Sequence, residues 1–131
     1  MKIKQVSIFA ENEHGRLLAI LQAIANTNIN LRAISVSENA DFGIVRMIMD
    51  DAEKGAVALR QANFTVRTDT MLTAEIPDVP NGLLKAVIQP LSESGINVDY
   101  FYAFLEQKPG TARIVLKTSD DEKAEKLLIG Q

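Results

Sequence analysis

Two hydrophobic periods alternate along this chain, and the whole series runs twice. Val6 and Ile8 alternate with polar neighbours, the period of a strand with one buried face. Leu17, Ile20, Leu21 and Ile24 then recur at helical spacing. A strand is expected from Asn30 to Ser37, and another carries Val45, Met47 and Met49 on one face. Asp50 and Glu53 are spaced as the cap and third residue of a further helix, with Leu59 on its buried stripe. Phe64 to Arg67 reads as a fourth strand. The series then restarts with Leu72, Ala74 and Ile76 alternating, and Leu84, Val87, Ile88 and Leu91 at helical spacing. Pro90 lies inside that helix and should bend it or cost it a hydrogen bond. Both first helices stop near a turn, Asn26-Thr27-Asn28 or Glu93-Ser94-Gly95, where Asn or Gly can take a left-handed cap. A strand from Asn97 to Leu105, a loop with Gly110, a strand with Ala112, Ile114 and Leu116, and a helix opened by the Ser119/Glu122 capping box and buried through Leu127 and Leu128 complete the second series.

The repetition extends to single residues. One constant offset carries Gly15 to Gly82, Leu17 to Leu84, Ala19 to Ala86, Gln22 to Gln89 and Ile29-Asn30 to Ile96-Asn97. The same offset carries Gly43 to Gly110 and Arg46 to Arg113. The order in each copy is β-α-β-β-α-β, so the fold class is α+β, two ferredoxin-like modules with antiparallel sheets and helices on one face. Module 1 is expected over residues 1–69 and module 2 over 70–131. The second copy runs out just past its second helix, so its sheet should lack a fourth strand.

Composition then narrows the chemistry. The 131 residues are 47% hydrophobic and 24% charged, a globular balance. There is no Cys, which removes thiolate metal sites and cysteine nucleophiles, and a single His argues against a histidine-based zinc site within one chain, which needs about three or four protein ligands. A net charge of −3 argues against nucleic acid as a partner. No leader pattern opens the sequence, and no apolar run approaches the roughly 20 residues of a membrane span, so no membrane partner and a cytoplasmic location are expected.

The informative positions are those where the copies agree without an evident packing reason. Leu17, Leu84, Ala19 and Ala86 read as core. Gly15 and Gly82 end the first strand-to-helix loops, where glycine permits either a turn or close approach to a ligand. Asn30 and Asn97 open the second strands; an amide there can serve a ligand's ammonium and carboxylate, or simply its own turn. His14 has no nucleophile partner, and Glu11, Glu13 and Asp78 read as ordinary complements to a helix dipole. Tyr100, Phe101, Tyr102 and Phe104 crowd one strand on both faces, marking a buried contact between modules or chains or a run of strand formers. Arg46 and Arg113 should point away from the helices.

The pattern of strand, acidic residue, Gly-x-Leu, helix, Ile-Asn and strand, present twice, resembles the ACT domain, a regulatory module of amino-acid metabolism. The likeness covers essentially the whole chain, as in stand-alone tandem ACT proteins of bacteria and archaea. What it implies is a non-catalytic amino-acid sensor without a cofactor. Its ligand contacts would be Asn12, His14, Gly15, Arg16, Leu17 and Asn30 in the first copy. In the second they would be Asp78, Asn81, Gly82, Leu83, Leu84 and Asn97. The Asn12-to-Gly15 stretch is similar to the serine-responsive loops of phosphoglycerate dehydrogenases, with His14 where proline is common; Pro80-Asn81-Gly82 departs by an inserted Asn.

A pocket at a module interface links ligand to assembly, so signalling through oligomeric state or partner affinity is expected. Sheet edges that need covering point to a homodimer. The alternative is a ligand-independent partner subunit of an enzyme of amino-acid metabolism. A ferredoxin-like enzyme would want an arginine in a glycine-rich phosphate loop, which is absent, and RNA binding lacks its basic-aromatic signature.

Overall fold

A computed structural model describes residues 2–11, 13–38, 42–106 and 108–129. Its elements run β1 (Lys2–Glu11), α1 (Arg16–Ala25), β2 (Leu31–Glu38), β3 (Phe42–Met49), α2 (Ala52–Gln61), β4 (Thr65–Pro77), a π-helical turn (Leu84–Ile88), α3 (Gln89–Glu93), β5 (Val98–Ala103), β6 (Thr111–Thr118) and α4 (Asp121–Ile129). The chain divides into two compact units, Lys4–Thr70 and Met71–Gln131 together with Met1–Ile3. The division falls inside β4: the fourth strand of the first series and the first strand of the second are one continuous strand.

In the N-terminal unit the strand order is β2-β3-β1-β4, as a split βαβ unit requires. β1 and β2 both pair antiparallel with β3, for example Val6 with Met47 and Ile34 with Met47. Val6, Ile8, Val45, Met47 and Met49 form the core with Ile20 and Ile24 of α1 and Ala56 and Leu59 of α2. The C-terminal unit repeats this with the order β4-β6-β5. Leu72, Ile76, Ile114 and Leu116 pack with Val87, Leu91 and Ala124. No strand follows α4 among the described residues. On the free side of this part of β4 stands the head of β1, and Lys2 Nζ lies 3.7 Å from Glu125 Oε1 of α4.

Several local expectations are corrected. The helix caps sit one residue further on: Asp51 Oδ1 accepts from the Lys54 N–H and Asp120 Oδ1 from the Lys123 N–H, both at 3.1 Å. Asp50 instead pairs with Arg32 at 3.3 Å, and Ser119 Oγ accepts from the Asn97 N–H at 2.9 Å. Pro90 is accommodated by the π-helical turn just before it. A proline ring clashes with the carbonyl four residues back, here Ala86, and the wider turn relieves that crowding. Its mark is the Gln89 N–H donating to Leu84 O, five residues back. Asn28 (φ 61°) and Gly95 (φ 75°) take the left-handed positions after the first helices.

Each copy also carries a β-bulge at the start of its second strand. Arg32 is the extra residue between Leu31 and Ala33, and Asp99 between Val98 and Tyr100. Several residues on the sheet face away from the helices are buried too. Gln5, Ser7, Ala33 and Ile48 are buried in the N-terminal unit, and Thr73, Tyr102, Phe104 and Val115 in the C-terminal one.

Candidate functional site

The first loop of the N-terminal unit ends at Gly15, whose φ of 86° and ψ of −4° place it in the left-handed region. A Cβ there would meet nothing within 4 Å, so the backbone conformation, not crowding, selects glycine. Gly15 caps α1 without a side-chain bond; its carbonyl accepts from the Ala19 N–H at 3.0 Å. Arg16 is spanned by two carboxylates, Glu13 at 3.5 Å and Glu11 at 3.8 Å, so these acids answer a side chain. His14 is exposed, and Asn12 lies outside the described residues.

Gly82 holds the matching place for another reason. It lacks a positive φ and is buried; a Cβ would run into the Pro77 carbonyl oxygen. Asn81 is exposed, its carbonyl accepting from the Lys85 N–H at 3.0 Å. Asn81 and Gly82 line an open cleft of about 540 Å³ with the hairpin turn at Gly110-Thr111. Asp78 donates its N–H to Gly110 O at 3.0 Å and lines a second cleft, about 420 Å³, with Lys108 and Arg113. Gly110 has a φ of 81° in its turn, whereas its partner in the repeat, Gly43, belongs to β3.

The leucines at the helix starts are not core, contrary to expectation. Leu17 is 41% and Leu84 50% exposed, while Ile20, Ile24, Val87 and Leu91 are buried. Ala19 is exposed and Ala86 half-buried. In both copies the apolar stripe begins one turn before the sheet can cover it, leaving a leucine in solvent beside the loop. Leu83 packs against the core.

Asn30 and Asn97 share a backbone role. The Asn30 carbonyl accepts from the Asp50 N–H at 3.2 Å and that of Asn97 from the Ser119 N–H at 2.9 Å, tying the second strand to the start of the second helix in each copy. The Asn97 amide donates to Asp99 Oδ1 at 2.9 Å. Asn97 lines a cleft with Ile88, Ser92 and Phe101, distinct from the one at Asn81 and Gly82. Within the C-terminal unit, therefore, Asn81 and Gly82 share one cleft, while Asp78 lines a second and Asn97 a third.

Of the aromatic strand, Tyr102 and Phe104 are buried within one chain, Tyr100 is half-buried with its hydroxyl 4.0 Å from Met71 Sδ, and Phe101 is 44% exposed. Arg113 stacks over the Phe104 ring, 4.3 Å from its centroid, and pairs with Glu106 at 3.4 Å. Lys85, on the π-helical turn beside the 540 Å³ cleft, escapes a search for identities between the copies. It stands where the first copy has Leu18, and only that difference marks it. Among the described residues, no helix is long and apolar enough to cross a membrane.

Comparison with known proteins agrees with this geometry. No curated protein matches the sequence. Among solved structures, protein BT0572 from Bacteroides thetaiotaomicron is 36% identical with a TM-score of 0.90, over 99% of this chain and 88% of that one. The ligand-free regulatory subunit of aspartate kinase from Thermus thermophilus is 15% identical with a TM-score of 0.65, over 96% of this chain and 87% of that one. At that identity the likeness speaks for the fold. The profile of the ACT domain pair matches residues 1–131, and the chain belongs to that family.

Proposed function

We propose that this chain is a non-catalytic regulatory protein that binds a small amino acid at its ACT loops and signals through assembly or partner affinity. The observation that carries the reading is the leucine exposed beside the first loop in both copies, while Ile20, Ile24, Val87 and Leu91 further along the stripes are buried. An apolar side chain kept in solvent twice, next to polar loop groups, suits a surface that a ligand or a docked module completes. Modules 1–69 and 70–131, a homodimer and an intracellular role in amino-acid metabolism belong to the same reading.

The test is thermal unfolding against each proteinogenic amino acid, with sedimentation of any responsive mixture. A ligand at about 100 times its dissociation constant adds roughly 2.7 kcal/mol, a shift of several degrees. Asn81→Ala and His14→Ala suit the follow-up because both side chains are exposed. Valine at Gly15 or Gly82 would instead disturb the backbone. No response to any amino acid at millimolar concentration overturns the sensor.

A second reading is a ligand-independent partner subunit. Leu18, 65% exposed beside Leu17, favours it, as does the shared fold with regulatory subunits of aspartate kinase. Stable recovery of an enzyme by pull-down, unchanged by any amino acid, would decide for it.

A further inference from the structure

The cleft beside the C-terminal unit's first loop carries a charge pattern that narrows its ligand. We propose that it takes an α-amino acid with an aliphatic side chain and that Lys85 anchors the ligand's carboxylate. This rests on the sensor reading and specifies one of its sites.

The cleft, about 540 Å³, has room for such a molecule and is open to solvent. One wall is apolar, formed by Ile76, Pro77, Val79 and Ala86. Val79 is 53% exposed, an apolar surface that an aliphatic side chain would cover. Asn81, which also lines the cleft, is exposed, and its amide is a neutral partner suited to an ammonium. Lys85 is exposed, and no carboxylate pairs with it among the described residues.

Glu75 borders the cleft, but its carboxylate accepts from Lys108 at 3.1 Å. Ile76 is buried on the helix side, so strand alternation turns the Glu75 side chain to the other face. The cleft is left with one uncommitted charge, and it is positive.

That balance excludes two ligand classes. An acidic side chain would need a second free cation, yet Lys108 is held by Glu75 and Arg113 by Glu106. A basic side chain would meet Lys85, and the acid lining the cleft, Glu75, is already held by Lys108. The first copy has Leu18 at the position of Lys85, so the anchor exists once per chain although the loop occurs twice.

Calorimetric titration of the full chain with valine, leucine, isoleucine, serine, aspartate, glutamate and lysine tests this. The aliphatic amino acids should bind best, with one Lys85-dependent site per chain. Lys85→Met should weaken them roughly tenfold or more, the loss of one charge-assisted bond, without moving the ligand-free melting temperature. Lys85→Arg should hold affinity within a few-fold. Preference for a charged or hydroxyl amino acid, or unchanged binding in Lys85→Met, overturns the assignment while amino-acid sensing stands. Binding of none of the amino acids overturns both.

Discussion

Gly15 and Gly82 occupy the same place in the two copies, yet each is required by a different force. At Gly15 the space around a hypothetical Cβ is empty and the left-handed φ of 86° strains most other residues. At Gly82 the dihedral is ordinary and the Pro77 carbonyl fills the space. Identity across a repeat thus records that a side chain is unwelcome, not why. The next residues diverge further: Leu17-Leu18 against Leu84-Lys85, an apolar pair against one carrying a cation.

The largest expected effect separates the two glycines. Gly82→Ala forces the loop away from Pro77 and should cost about 2–3 kcal/mol in urea unfolding, the range of overpacking. Gly15→Ala meets only the left-handed penalty, about 1–2 kcal/mol. Asparagine tolerates that region, so Gly15→Asn should recover most of the loss, whereas Gly82→Asn should do no better than alanine. Equal rescue at both positions would erase the distinction.

A smaller effect distinguishes the true caps from their neighbours. Asp51→Ala and Asp120→Ala should each cost about 1 kcal/mol, because each leaves a first-turn N–H unpaired. Asp50→Ala loses only its exposed pair with Arg32, a few tenths of a kcal/mol. A larger loss at Asp50 than at Asp51 would return the cap to the earlier residue.

The smallest effect is a pH dependence of the C-terminal unit. Burial pushes the Asp121 carboxyl up, but hydrogen bonds from the Thr118 hydroxyl (2.6 Å) and N–H (3.0 Å), with Lys117 at 3.2 Å, outweigh it and hold the group below its ordinary value of 3.8. A lowered folded-state value means stability present above the unfolded value and lost as pH falls through the folded one. Asp121→Asn should therefore flatten the acid limb of the stability profile below about pH 4 and leave neutral pH with a modest loss. An unchanged acid limb would remove Asp121 from the linkage.

The doubling and the helix-strand order were legible because periodicity reports which face is buried, and both copies bury the same faces. Val6, Ile8, Met47, Leu72 and Leu116 all lie where their spacing put them. Local chemistry does not reveal where one strand ends and another begins. Phe64 to Arg67 and Leu72 to Ile76 therefore read as two strands, although Thr65–Pro77 is one. Nor does helical spacing tell when the sheet stops covering a stripe, which is why Leu17 and Leu84 read as core. Adjacent Asp50-Asp51 and Ser119-Asp120 offer two caps each, and only the chain's path chooses between them. At the candidate site, identity found the loops, while the distinguishing charge, Lys85, lay at a position where the copies differ.

The bulges at Arg32 and Asp99 bear on how the chain behaves when crowded. Among the described residues β2 and β5 have one strand neighbour each, β3 and β6, and so leave backbone donors and acceptors along an edge. A foreign strand laid along either edge loses step at the bulge, where one residue has no counterpart. In β5 only Tyr100–Ala103 remains in register beyond it. Four residues make a poor template for open-ended growth, so the fold protects its most aromatic edge from fibrous polymerisation by a backbone irregularity that costs no side chain.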